Sequence, residues 1–303
     1  RAQRRRHRRD HRRRAQRDPR MIDAQHLTVL GQPAMRIQAP DGAEATVLLH
    51  GGQIVSWIPA GDQERFYLSP MAVAGDGKSV RGGVPVIFPQ FSDRGPLPRH
   101  GFARDRRWQW VESVRRGGVA IAVLRLSDDA RTRAIWPHAF EAELTLVISG
   151  LQLDIELAVT NTGQVGVDLP FSFSAALHSY LLVDDVRRAK LGGLFAVHYT
   201  DNNTGKQQHQ EIDPFSFAGE IDRTYDGVTQ PLSLATAMGR MVIANEGFPD
   251  VVVWNPGPAK AAAMADLPDD DWLSMLCVEA AAVHTPVTLA PGQEWTGRQS
   301  FSV

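Results

Sequence analysis

The chain has 303 residues, 43% of them hydrophobic and 22% charged, which predicts a globular protein with a large core and excludes a disordered or collagen-like chain. The net charge of −1 hides an asymmetry: residues 1–20 carry 11 arginines against 2 aspartates, and the rest holds 22 basic and 32 acidic side chains, a body near −10. Such a body offers no broad basic field to nucleic acid, no apolar run reaches the ~18 residues of a membrane span, and the single cysteine, Cys277, excludes an intrachain disulfide and points to a reducing, cytoplasmic compartment.

In chain order, the first segment, RAQRRRHRRDHRRRAQRDPR, has nothing to bury and is expected to be disordered. It reads either as an arm for nucleic acid or a membrane surface or, because Met21 follows directly, as a non-native or mispredicted extension. We adopt the second reading, so residues 21–303 are expected to form one domain. TVLLHGGQIVSWIP (46–59) and VAIAVLRL (119–126) are strand-like. A short helix is predicted around DDARTRAI (128–135), stopped by Trp136-Pro137. FEAELTLVIS (140–149) and LQLDIELAVT (151–160) alternate apolar and polar residues with a strict period of two, the signature of strands with one wet face. The Ser149-Gly150 break between them predicts an antiparallel hairpin. VDLPFSFSAALHSYLLV (167–183), RMVIANEGFPDVVVWNPG (240–257), WLSMLCVEA (272–280) and PVTLAPGQEWTGRQSFSV (286–303) continue the pattern. Gly, Pro, Asn and Asp clusters separate them. Strands alternating with long helices are absent, so the expected class is all-β: antiparallel sheets stacked as a large sandwich with few short helices.

Three places stand out for chemistry. In FSFSAALHSY the strand phase puts Phe171, Phe173, Ala175 and Leu177 on one face and Ser172, Ser174, Ala176, His178 and Tyr180 on the other. A lone histidine on such a polar face is more often a hydrogen-bonded bystander than a proton donor. Glu279 closes WLSMLCVE; a carboxylate at the end of so apolar a strand is costly to bury unless paired or shifted in pKa, and the alternative is that the strand emerges into solvent there. Arg81, Arg99, His100 and Arg104 fall within RGGVPVIFPQFSDRGPLPRHGFAR (81–104). Glycines 82 and 83 let the backbone turn sharply and approach a ligand, and guanidinium groups suit bidentate contact with phosphate or carboxylate, so this stretch is read as an anion clamp. His50 has no partner at zinc-like spacing, and there is no phosphate-binding glycine loop or GxSxG.

RGGVPVIFPQF, LPRHGFAR, LHSYLLVDDV, YTDN and MLCVEAAAV occur in the order and at roughly the spacing of the hexose-6-phosphate mutarotases, also called glucose-6-phosphate 1-epimerases. The resemblance runs from about residue 25 to the C-terminus. It implies a galactose mutarotase-like antiparallel β-supersandwich with an open sugar cleft, no cofactor and no metal, a monomer acting on a small sugar phosphate. By match of motif it makes His178 the general acid and Glu279 the general base. It also lines the site with Arg81, Arg99, His100 and Arg104, and gives a sugar hydroxyl to Asp201. The chemistry would interconvert α and β anomers: base and acid on opposite sides of the sugar open the ring, C1 turns, and the ring recloses. The rival readings are a neutral-sugar aldose 1-epimerase, a non-catalytic carbohydrate-binding module, and a nucleic-acid binder working through the arginine-rich segment.

Overall fold

In the computed structural model, which describes residues 24–75 and 77–303, the alternating segments pair as two large antiparallel sheets and one small one. The arginine-rich segment lies outside the described residues. The nine-stranded sheet is built around the predicted hairpin, Phe140–Ser149 with Gln152–Asn161, in register from Phe140↔Asn161 to Ser149↔Gln152. Val119–Ser127 and Gln109–Arg116 extend it on one side, and Glu294–Ser302 and Gly239–Glu246 on the other. The eight-stranded sheet runs Gln207–His209, His198–Asp201, Ile221–Tyr225, Asp250–Asn255, Met275–Leu289, Phe171–Leu177, Val86–Ile87, with Tyr180–Leu182 also paired to Met275–Leu289.

The inward faces of both sheets share one core: Leu144, Leu146, Ile155 and Leu157 from the first meet Phe173, Leu177, Val253 and Val278 from the second. Ring contacts cross the interface, such as Phe88 with Phe140 (5.3 Å) and Phe173 with Trp295 (5.7 Å). A buried polar link joins the layers: Ser179 donates to Gln299 Oε1 (2.5 Å), and Gln299 donates back to the Val278 carbonyl (3.1 Å). Such a fully satisfied pair fixes the register of one sheet on the other where an apolar pair would slide. The other face of the eight-stranded sheet is left open for a site.

The short helix is present over Ala130–Ile135, with Asp129 and Thr132 forming a reciprocal cap. The sequence missed the strands Gln25–Val29 and Gln32–Gln38, the edge strand Gln109–Arg116 and the short strands between Lys190 and Thr236. The edge strand carries Glu112, Arg115 and Arg116 and buries little besides Ser113, so it has no two-residue hydrophobic period to read. Two expectations change. The run 167–183 is not one strand: it breaks at His178-Ser179, where His178 donates its backbone N–H to Pro85 and Tyr180 to Gly83. Glu279 does not end its strand, which continues to Leu289.

Candidate active site

Leu177 pairs with Ala280 and Tyr180 with Cys277, so His178 and Glu279 occupy the same rung of neighbouring strands. Side chains directly opposite one another in an antiparallel pair start about 4.5–5.5 Å apart at Cβ, and these two meet: His178 Nδ1 lies 3.3 Å from Glu279 Oε1. The contact lacks hydrogen-bond alignment, and His178 Nδ1 and Glu279 Oε2 are both buried without a partner. A buried polar atom left unpaired is costly, and here both residues line a cleft of about 680 Å³. The imidazole and carboxylate are therefore side by side rather than on opposite sides, which still suits proton exchange with two oxygens bonded to a single carbon. The alternation that turns them outward turns Ser179 and Val278 inward onto Gln299.

The electrostatics push the pair apart. Burial, with Asp222 adding like charge, raises the Glu279 carboxyl well above its usual range. Burial, followed by His100, Arg81 and Arg104, holds the His178 imidazole well below its own. Both shifts favour the uncharged forms, a protonated Glu279 and a neutral His178. His100 is also in the cleft, its ring 5.9 Å from that of His178. Its Nδ1 accepts from the Ser92 N–H (3.2 Å), which leaves the proton on Nε2. Burial and the arginines 104, 99 and 81 push its pKa down to about 3, so it is a neutral hydrogen-bond donor at working pH.

The arginines differ in what they have left to give. Arg81 spends Nε and Nη2 on Asp266 (3.2 and 3.3 Å) and Nη1 on the Tyr180 hydroxyl (2.9 Å). The adjoining glycines approach backbone, not ligand: a Cβ on Gly82 or Gly83 would overlap the carbonyl oxygen of Tyr67 or Ile54. Arg99 is exposed and paired with Asp93 (3.0 Å). Among the described residues Arg104 makes no ion pair with a carboxylate, although Asp105 is a nearby charge; it donates to the Arg99 carbonyl (3.0 Å), and its buried Nε is unpaired. Arg94, in the same stretch and overlooked in the sequence, also lines the cleft, and its guanidinium donates to the Asn202 amide oxygen (3.0 Å) and lies over the Phe91 ring.

Asp201 is not brought to the cleft. Its Oδ1 accepts from Asn203 N (3.1 Å), Thr204 N (2.9 Å) and Thr204 Oγ1 (3.0 Å), which closes the turn after its strand. The acid that lines the cleft there is Asp222, held by Asn202 Nδ2 (2.7 Å). Tyr180, Trp254 and Val252 complete an apolar floor. Of these, Trp254 and Val252 alternate with Val253 in the strand Asp250–Asn255, a period that marks a two-faced strand but not that its outer face holds a ligand.

The stacked antiparallel sheets with a His–Glu pair on one open face define the galactose mutarotase-like class of β-supersandwich. The Aldose 1-epimerase family model matches residues 33–302. A Cenchrus ciliaris protein named "Putative glucose-6-phosphate 1-epimerase" is 35% identical over 88% of this chain and 86% of its own length. An Escherichia coli protein of the same name is 30% identical over 86% and 85%. The crystal structure titled as a "putative mutarotase" from Salmonella typhimurium superposes with a TM-score of 0.83 at 27% identity, over 95% of this chain and 94% of that one. The chain belongs to the aldose 1-epimerase family and is an epimerase of the mutarotase type. Among the described residues no helix is long and apolar enough to cross a membrane.

Proposed function

We propose that the chain interconverts the α and β anomers of a hexose 6-phosphate, glucose 6-phosphate first among them, as a monomer and without a cofactor. The observation that carries this reading is the unpaired His178–Glu279 couple at the floor of a cleft whose wall holds Arg104 and Arg94, neither in an ion pair with a carboxylate among the described residues. Glu279 as carboxylate takes the C1 hydroxyl proton while His178 as imidazolium gives one to the ring oxygen. The ring opens, C1 turns about its bond to C2, and reclosure runs the same transfers backwards. The working state, Glu279 ionised and His178 protonated, is the minor arrangement of the single proton the resting pair holds. Arg104 and Arg94 would take the phosphate, which anchors the unreacting end and orients C1. Asp222 and Asn202 replace Asp201 as the candidates for a sugar hydroxyl.

Anomer exchange on glucose 6-phosphate, followed by magnetisation-transfer NMR near neutral pH, tests the reading in the wild type, His178→Ala and Glu279→Gln. Acceleration by the wild type and its loss in both variants is expected. Acceleration confined to free glucose or galactose would make the protein a neutral-sugar epimerase; none on any of the three would leave a carbohydrate-binding module.

A further inference from the structure

A second cavity, of about 770 Å³, shares no lining residue with the cleft that holds His178 and Glu279. Its size falls within the roughly 300–1,000 Å³ usual for small-molecule sites. Lys78, Arg106, Arg107 and Arg131 line it, and Asp105 is the one carboxylate among the described lining residues. Backbone pairing gathers these side chains from three parts of the chain. The Gly51 N–H donates to the Arg106 carbonyl (2.6 Å) and the Trp108 N–H to the Leu49 carbonyl (2.7 Å), which sets Arg107 opposite His50. His50 Nε2 donates to the Lys78 carbonyl (2.8 Å) and so holds Lys78 at the same place. Arg131 comes from the first turn of the helix Ala130–Ile135.

The charge gathered there runs against the rest of the body. With 32 acidic and 22 basic side chains beyond residue 20, cations are the scarcer partner, and many are matched: Arg65 with Asp62, Arg125 with Glu141 and Glu143, Arg187 with Asp185. Among the described residues none of the four cations around the cavity makes an ion pair; Asp105 and Asp129 act on Arg106 only as neighbouring charges. Arg106 lies over the Phe102 ring (6.0 Å), and its buried Nε has no hydrogen-bond partner. Four like charges held at one cavity repel one another, and an anion between them relieves that repulsion.

We propose that this cavity is a second ligand site, separate from the catalytic cleft, for a chain of two or three phosphates, carried by a nucleotide or by inorganic polyphosphate. The proposal does not depend on the acid–base reading of His178 and Glu279. A single phosphate group brings a charge of about −1.5 to −2, which leaves part of four cations and one carboxylate unmatched; a chain of phosphates meets it. Three guanidinium groups supply forked donors suited to phosphate oxygens, and Lys78 adds a point charge. Pro33, Val73 and Ala74 give the same cavity an apolar part, against which a nucleoside joined to the phosphates would rest.

The test is titration of the full chain with inorganic tripolyphosphate, ATP and inorganic phosphate in magnesium-free buffer at low ionic strength. Calorimetry gives the affinity, and amide hydrogen exchange read by mass spectrometry gives the place. Arg107→Gln and Arg131→Gln, singly and together, remove exposed side chains and should fold as the wild type does; Arg104→Gln serves as the control in the catalytic cleft. Tripolyphosphate and ATP should slow exchange at residues 105–108 and 130–135, equally in the wild type and in Arg104→Gln. Each cavity substitution should weaken that effect about tenfold or more, the loss of one charge-assisted contact, and the pair should abolish it. Inorganic phosphate should bind at least about tenfold more weakly, and anomer exchange by the double variant should stay at the wild-type rate. ATP binding more than about tenfold tighter than tripolyphosphate would assign the site to a nucleotide, and equal affinities to the phosphate chain itself. Exchange unchanged at both segments, slowing that survives the double substitution, slowing lost in Arg104→Gln, or slowing produced by single-stranded RNA and by neither small anion would each overturn the proposal.

Discussion

Replacing Glu279 by Gln separates catalysis from stability, because the structure sets the two against each other at this residue. The side chain is 1% exposed, one carboxylate oxygen has no partner, and Asp222 adds like charge. Gln keeps the shape and removes the charge that the sheet must otherwise accommodate. Unsatisfied buried groups cost about 1–3 kcal/mol, more when charged, so removal of the ionised form should gain about 1–2 kcal/mol at pH 8. In a domain of this size that is about 2 °C per kcal/mol, a rise of about 2–4 °C in Tm. The sign depends on pH. The folded pKa of Glu279 is raised, so the folded state holds a proton that the unfolded chain gives up above about pH 4.3. Wild-type stability therefore falls relative to the variant as pH rises through that value towards the folded pKa, and the gap closes below it. Loss of the base should cost about 10²–10⁴-fold in exchange rate. Calorimetric melts at pH 4 and pH 8 beside NMR exchange rates decide the matter. A variant that loses activity and also melts several degrees lower at pH 8 would refute the argument and make Glu279 a structural partner of its strand.

Asp222→Asn should draw the Glu279 pKa down by removing the like charge, so the alkaline limb of kcat/KM against pH should move to lower pH. Asp201→Asn, at a residue occupied with its own turn, should leave that limb and KM within about twofold of wild type; a pH–rate series on both variants compares them. The wild-type profile should be a broad plateau through neutrality, since a raised Glu279 and a lowered His178 hold one proton between them over a wide range. Gly83→Ala places a methyl group into the Ile54 carbonyl at a backbone φ of +60° and should leave little soluble folded protein, read by expression yield and circular dichroism.

Legibility followed from periodicity. Phe140–Ser149 and Gln152–Asn161 each bury every second residue without exception, so the hairpin, its register and the sandwich class could be read directly. The same two-residue phase put His178 on the face that became the cleft. What it could not contain was the rung shared with Glu279, because strand pairing across about 100 residues leaves no local trace. Nor could it contain the division of labour among the arginines: Arg81, Arg99 and Arg104 look alike in sequence, and only the positions of Asp266 and Asp93 show which guanidinium remains free. Asp201 closes a turn while Asp222 lines the cleft for a similar reason, since an aspartate followed by Asn-Asn-Thr-Gly serves a turn as readily as a ligand.

If Arg104 takes the phosphate as proposed, it ties the anchoring of the substrate to the protonation of His178. It is one of the cations that lower the His178 pKa, and among the described residues no carboxylate lies within ion-pair distance of it, Asp105 acting on it only as a neighbouring charge. A phosphate dianion bound there would cancel that charge, raise the imidazole's affinity for a proton, and move the pair's single proton from Glu279 towards His178, which is the arrangement that turns over. A neutral sugar brings no such compensation. Arg104→Gln should therefore act in opposite directions on two substrates. With glucose 6-phosphate, KM should rise about 10–100-fold, the loss of a charge-assisted contact of about 1.5–3 kcal/mol. With free glucose, kcat should hold or increase, because the variant relieves the pressure on His178 permanently. Exchange rates at saturating levels of each sugar, measured across the same pH series, make the comparison. A variant whose kcat on free glucose falls as far as its kcat/KM on glucose 6-phosphate would show that Arg104 supports the chemistry directly and that its charge is not what the phosphate relieves.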